Sequence, residues 1–276
     1  MTFAAKESSR AAGRPVALYS IRFGPEAGSV LRFTNVGTPI TFESNVYQPL
    51  AITHSNVTSS GDLDKANVRV TAPENSTLGD LYRSEPPSNV VSIVIYQGHV
   101  GDSDFKVGFA GRILSGLFDD NDIECDCEPI VTSMRRVGLT RDYQYSCPLV
   151  LYGPGCRANK AAATTTAVVT SVSSAFVTLP STWAAGGMKD KYIGGIAQWV
   201  STSGRTERRS ISGRAGDVLR LSSLAEGLVG GATITLILGC NHQVYDCEFV
   251  HNNIQNYGGQ PAIPLKNPTG ITNNYY

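Results

Sequence analysis

Strand-length apolar runs, each closed by a turn signal, follow one another along most of this chain and leave room for little but β structure. Between Arg14 and Arg136 they read VALYSIRF, SVLRFTN, PITFESNVYQPL, ANVRVTAP and VVSIVIYQG, punctuated by Gly, Pro, Asn and Asp. Short β-branched and aromatic runs at this spacing predict a sandwich or barrel. One segment departs from the pattern. STLGDLYRSE, Ser76 to Glu85, opens on a serine and sets Leu78, Leu81 and Tyr82 at helical spacing, which predicts a short helix. A second strand-patterned body runs from Ala161 to Leu238, with glycine corners expected at Gly186–Gly187, Gly194–Gly195 and Gly230–Gly231. Its size predicts a small barrel of roughly five or six strands.

Composition agrees with this reading and narrows the functions. Of 276 residues, 17% are charged, below the usual quarter or so, while Gly and Pro contribute 28 and 14. The formal net charge is zero, so no global field holds DNA or an acidic membrane surface. No stretch approaches about eighteen apolar residues, and no membrane span is expected. The opening MTFAAKESSRAAGRPVAL lacks the apolar core of a signal peptide. The six cysteines are therefore expected to meet a reducing cytosol, where metal or redox chemistry is favoured over disulfides. Three bridges in a disulfide framework stay open as the alternative.

Alternation sorts two of the cysteines. In GRILSGLFDDNDIECDCEP, Asp119 to Asp122 form the expected hairpin turn. After it Ile123, Cys125 and Cys127 share one face and Glu124, Asp126 and Glu128 the other. A half-buried strand turns its thiols inward, so Cys125 and Cys127 read as core residues and the acidic face as solvated. The basic cluster Arg205, Arg208, Arg209 and Arg214 reads as a hairpin tip or exposed strand, with nucleic-acid contact as the sharper alternative.

The other four cysteines form two pairs, Cys147 with Cys156 and Cys240 with Cys247, flanking the second β body at its entrance and exit. Such a body meets its host at a neck, which predicts that the pairs meet in space. A group tying them would close a loop of more than eighty residues, worth roughly 4–5 kcal/mol by chain entropy. Structural zinc prefers tighter knuckles than the C-x8-C and C-x6-C spacings here, whereas a bulkier cubane cluster takes one thiolate at each of four irons. Spacing alone leaves zinc open. His242 and His251 could replace a thiolate but read as supporting residues. Cys247 to Asn256 is expected to form a short helix with a thiolate at its start, ended by Gly258–Gly259.

The stretches RRVGLTRDYQYSCPLVLYGPGC and GCNHQVYDCEFVHNNIQNYGGQPAIP together resemble the tail tip hub proteins of long non-contractile phage tails and of gene transfer agents. Asn252, Asn253, Asn256, Tyr257, Gly259, Pro261 and Pro264 match the family's second motif. RFTNVGTPITFESNVYQPL is similar to its N-terminal hairpin, with Ser44–Asn45 in place of the expected turn glycine and His251 where an aromatic is commoner. The resemblance implies a 4Fe–4S cluster held by Cys147, Cys156, Cys240 and Cys247, zinc being the less favoured occupant. It implies a mostly β fold: a tail-tube-like domain over 1–146, cluster-binding segments at 147–156 and 240–264, a small inserted β-barrel over 157–239 and a tail over 265–276. It also implies a homotrimeric virion component at the tail tip or baseplate, assembled in the host bacterial cytoplasm. Its implied neighbours are the distal tail, tail tube, tape measure and central fibre proteins, with DNA passing through the lumen.

An enzyme is not expected. The alternative, an iron–sulfur or zinc redox enzyme, wants a Gly-rich nucleotide loop after a strand, and the glycine pairs here read as corners instead. A cysteine hydrolase would pair Cys147 or Cys156 with His242 or His251 but has no supporting motif. A zinc-stapled nucleic-acid module is disfavoured by zero net charge.

Overall fold

A computed structural model describes residues 6–9, 13–57, 67–83, 86–102, 104–135, 143–185 and 187–263. Ser84–Glu85, residues 136–142 of the first motif, Gly186, Pro264 and the tail 265–276 lie outside the described residues. The chain divides into two compact units, Met1–Arg136 and Val137–Tyr276. Each is built on one sheet, as the strand-rich sequence implies.

The strands of the first unit are β1 (Pro15–Arg22), β2 (Val30–Thr34), β3 (Ile40–Phe42), β4 (Asn45–Pro49), β5 (Thr53–His54), β6 (Val68–Pro73), β7 (Val91–His99), β8 (Lys106–Asp119) and β9 (Asp122–Pro129). Their order is β3-β4-β2-β1-β7-β8-β9-β6-β5. Alternation sends Tyr19, Ile21, Val70, Ile93, Ile95, Ile123, Cys125 and Cys127 into one core. Val16 and Leu18, on the opposite face of β1, pack with Tyr47 and Phe105. The expected helix is present as Thr77–Tyr82, capped by Ser76, whose Oγ accepts from the Gly79 N–H at 3.2 Å. Leu78, Leu81 and Tyr82 are its buried face.

Cys125 and Cys127 are fully buried, as their strand face requires, and burial pushes the Cys125 thiol up to about 12. On the other face of β9, Arg69 spans Glu124 at 3.0 Å and Asp126 at 3.2 Å, so the carboxylates form a cross-strand ion-pair row. The β3–β4 turn corrects one detail. Its two central residues are Glu43 and Ser44, at φ +48° and +62°, while Asn45 already begins the strand. Asn45 instead donates through Nδ2 to the Glu43 carbonyl at 3.0 Å. A two-residue hairpin loop needs positive φ at both positions, and neither residue here is a glycine. Ser44→Gly is expected to stabilise the first unit by about 0.5–1 kcal/mol, read as a higher urea midpoint at unchanged m-value.

The second unit holds seven strands rather than five or six: β10 (Thr164–Val168), β11 (Ser171–Ser173), β12 (Phe176–Thr178), β13 (Ile196–Val200), β14 (Thr206–Ala215), β15 (Val218–Leu221) and β16 (Thr233–Ile237). Their order is β10-β16-β13-β14-β15-β12-β11. β14 pairs with β13 through its first half and β15 through its second, with a bulge between Ile211 and Gly213 at the bend. Trp183, Trp199, Ile211, Leu219, Ile234 and Leu236 fill the core. Neither the small barrel expected of the second unit nor the barrel form of the sandwich-or-barrel expected of the first is closed, since no ladder joins the ends of either order among the described residues. A chain corner does that work. β10 and β11 follow one another across Val169 and Thr170, which donate to the Ala232 and Thr178 carbonyls, each at 2.9 Å. In the first unit the edge strand β5 follows directly on β4, the strand next to the β3 edge, and the chain turns inward between them at the fully buried Ile52.

The basic cluster is not a free cationic patch. Arg205 and Arg209 flank the buried Glu207 at 3.3 and 3.2 Å, and Arg209 is itself buried. Arg214 donates to Asp190 at 2.8 Å and Arg208 to Gln198 at 3.1 Å. Arg205 and Arg209 are thus committed to a buried carboxylate, while Arg208 stays on the exposed face of β14 that the sequence predicts, so the four do not act as one open basic surface.

Candidate functional site: a four-cysteine pocket

The second unit alone carries the two cysteine pairs, so what they would tie together is its leading segment and its trailing segment, not its sheet and the other unit. SCPLVLYGPGCR runs as a chain of tight turns, with Tyr152 and Arg157 at φ +59° and +57°. Gly153 N–H donates to the Val150 carbonyl and Arg157 N–H to the Gly153 carbonyl. Tyr152 Oη reaches the Leu238 carbonyl at 2.7 Å and anchors this segment on the end of β16. The trailing segment starts where β16 stops. Gly239 N–H donates to the Lys191 carbonyl at 2.8 Å, and a Cβ at Gly239 would stand 2.2 Å from the Ile193 carbonyl oxygen and 2.6 Å from the Gly195 nitrogen. Two backbones in contact thus set where Cys240 begins.

His242 stitches the pairs together. Its N–H donates to Cys240 Sγ at 3.3 Å, its carbonyl accepts from the Cys147 N–H at 2.8 Å, and its Nδ1 lies 2.9 Å from the Cys147 carbonyl. The residue adopts φ +62° to do this. His251 places Nε2 at 2.8 Å from the Gly239 carbonyl and meets the Tyr152 ring edge-on. Both imidazoles thus brace backbone, the supporting part expected of them.

The expected single helix from Cys247 to Asn256 is replaced by a π-helical turn, Asp246–Val250, and a 3-10 turn, Ile254–Asn256. Asn252, at φ +46°, breaks the run between them. The break brings the Asn253 N–H to the Cys247 carbonyl at 2.8 Å, which a continuing helix would not do. Asp246 is buried and takes Lys191 Nζ at 2.6 Å and the Asn241 N–H at 3.3 Å, fixing the π turn to the sheet. Gly258 and Gly259 end no helix. Gly258 N–H donates to Cys147 Sγ at 3.4 Å, and a Cβ on Gly259 would collide with the Tyr145 carbonyl oxygen at 2.5 Å. Close approach to the backbone of Tyr145 and Ser146, just before Cys147, is what Gly259 permits.

Cys147, Cys156, Cys240 and Cys247 all line one small pocket, about 10 Å³ in volume, walled by Leu149, Leu151 and the two histidines. Burial pushes the Cys247 thiol up to about 11, and the neighbouring Cys240, Cys147 and Cys156 add to the shift. Burial raises Cys240 too, against a lowering by the His242 N–H. Four crowded thiols resist ionising together unless a cationic centre offsets their repulsion. Three of the sulfurs already accept N–H groups, from His242, Gly258 and Asn253. Among the described residues no three Cys, His, Asp or Glu side chains converge tightly enough to hold one metal ion. This donor set, all sulfur and furnished with N–H donors, has the chemistry that thiophilic metal centres take. Sequence reasoning did not single out Tyr152 or Gly239, and it named Asn253 only as one position of the Asn-rich motif, with no partner for it.

Fold and site together define a two-sheet β protein whose second unit carries a four-thiol pocket. Residues 190–267 match the model of the family described as "Phage conserved hypothetical protein BR0599", a span that includes Cys240 and Cys247. A protein of Xylella fastidiosa (strain 9a5c), described as uncharacterized, is 26% identical over 169 residues, 57% of this chain. The match spans about a third of that relative, 35% of its length. A chain in the solved "Virion of native gene transfer agent (GTA) particle" superposes with a TM-score of 0.75 over 99% of this chain and 98% of its own. At 17% identity that likeness is one of fold. The phage family match and this structural match both support the resemblance to phage tail-related proteins read from the cysteine motifs.

Proposed function

We propose that this chain is a structural component of a phage or phage-like virion, acting as a tail tip or baseplate hub around the DNA exit path. The observation that carries the reading is end-to-end likeness, 99% of one chain on 98% of the other, to a chain of a gene transfer agent virion. A shared fold does not by itself fix a function; here the phage family match over residues 190–267 and the cysteine motifs point the same way as the fold likeness. Zero net charge suits a wall that DNA slides past without sticking. The neighbours would be a homotrimer of this chain, tube and distal tail proteins above it and a central fibre below.

Within it, Cys147, Cys156, Cys240 and Cys247 would hold a 4Fe–4S cluster. When bound, the cluster supplies a covalent-strength cross-link and no catalysis. The chain's own residues do the rest. His242 and Gly258 present N–H groups to sulfur, Leu149 and Leu151 shield the pocket, and Tyr152 pins the leading segment to β16. Protein purified without oxygen is expected to be brown and to carry about four irons and four sulfides per chain. One zinc per chain would replace the cluster assignment with a zinc staple, and metal-free protein would end the cofactor reading. Cross-linking and mass spectrometry of purified particles should place the chain at the tail tip, and its absence from the particle would end the hub reading.

A further inference from the structure

Asn253 is a buried polar residue, and all four of its polar groups are engaged. Its Nδ2 donates to the Cys156 carbonyl at 2.6 Å and to Cys156 Sγ at 3.7 Å. Its N–H donates to the Cys247 carbonyl at 2.8 Å, and its carbonyl accepts from Cys247 Sγ at 3.2 Å. Its Oδ1 accepts from Asn256 Nδ2 at 2.7 Å, which fixes which way the amide faces. One residue therefore touches both cysteine pairs, through its side chain to Cys156, 97 positions away, and through its backbone to Cys247. The donors to Cys240 and Cys147 are backbone amides, whereas the donor to Cys156 is a side chain. Asp would lose the donor, Gln would overreach and Ser would fall short, so the geometry calls for Asn.

We infer that Asn253 is the positioning residue of this pocket: it holds Cys156 and Cys247 in register before any metal arrives, and it supplies the N–H that tunes the Cys156 sulfur. The tuning half rests on the metal-cluster reading given above; the positioning half does not. A preformed ligand pair lowers the ordering needed at binding, and an N–H on a ligand sulfur shifts a cluster's potential.

Two experiments separate the halves. In metal-free, reduced protein, iodoacetamide labelling followed by mass spectrometry should show Cys156 and Cys247 protected. Asn253→Ala removes the side-chain contacts to Cys156 and the Asn256 brace that holds the Asn253 backbone against Cys247, so it should speed labelling of Cys156 several-fold and of Cys247 by less, leaving Cys147 and Cys240 at their own rates. General loosening would speed all four. It would also shift the emission of Trp183 and Trp199, the two tryptophans of the chain, both buried in this unit. Should Asn253→Ala not fold, the near-isosteric Asn253→Asp carries the same assay. In protein purified without oxygen, Asn253→Asp should move the reduction potential negative and release metal to a chelator about 10–100-fold faster. Unchanged labelling of Cys156 and Cys247 overturns the positioning role, and an unchanged potential overturns the tuning role. If the unsubstituted protein holds no metal, the cofactor reading and the tuning role fall together, and the labelling pattern still decides the rest.

Discussion

If the proposed cluster is bound, Cys247→Ser is expected to strip the second unit of it and of most of its stability, leaving protein that purifies colourless and in low soluble yield. Binding free energy at a structural metal site counts directly towards folding, and a domain's whole margin is about 5–15 kcal/mol. Seryl oxygen is a harder, poorer ligand for iron. It also fills the pocket wall less well than the buried sulfur it replaces. Cys125→Ala is the control. Its thiol is fully buried in the core of the first unit and lines no part of the pocket, and its loss is expected to cost about 1–2 kcal/mol with metal content unchanged. Iron and sulfide analysis on both variants decides the matter: a Cys125 variant that loses its colour beside a Cys247 variant that keeps it would show that the wrong sulfurs were chosen.

Gly239→Ala is expected to be nearly as damaging without touching a sulfur. The added methyl would stand 2.2 Å from the Ile193 carbonyl oxygen and 2.6 Å from the Gly195 nitrogen. The facing glycine is equally confined, since a Cβ on Gly195 would meet the Ile237 carbonyl oxygen at 2.1 Å. These neighbours are backbone atoms held by the β13–β16 ladder and by Gly239 N–H to Lys191, so no rotamer change relieves the clash. We expect a loss of about 3 kcal/mol or more, seen as a drop in the tryptophan-monitored urea midpoint and in metal content, because Cys240 is the next residue along. Gly213→Ala, where a Cβ meets nothing within 4 Å, should leave both nearly unchanged.

Gly194 and Gly195 show how far a sequence can be read at such a place. As a pair beside an aromatic strand they mark a corner, and Gly194 does take φ +78°. Gly195 needs no unusual φ; it is a glycine because another backbone lies against it, and that backbone arrives from more than forty positions away. The same limit governs the pocket. Cysteine spacing names four sulfurs, and alternation removes Cys125 and Cys127 from contention. Neither says that Asn252 would turn left-handed, split the expected helix and hand Asn253 to Cys156.

The hairpin at Glu43–Ser44 runs the other way. Its strands are plain in the sequence, yet its turn residues lack the glycine that usually marks them. Cross-strand packing holds the register and imposes positive φ on residues that disfavour it. The arginines of β14 likewise read as an exposed cluster because charge is visible in sequence and burial is not.

By itself the sequence determined the β-rich class, the capped helix at Thr77–Tyr82, the inward face of β9 and the identity of the four candidate thiols. Those follow from local periodicity and residue chemistry, which neighbouring residues suffice to express. Tertiary structure alone decided that sheet ends meet through chain corners rather than ladders, that all four thiols belong to one unit, and which amides face each sulfur. Those are contacts between segments up to about a hundred positions apart. They are set by which backbones can touch, a condition that no short window of sequence contains.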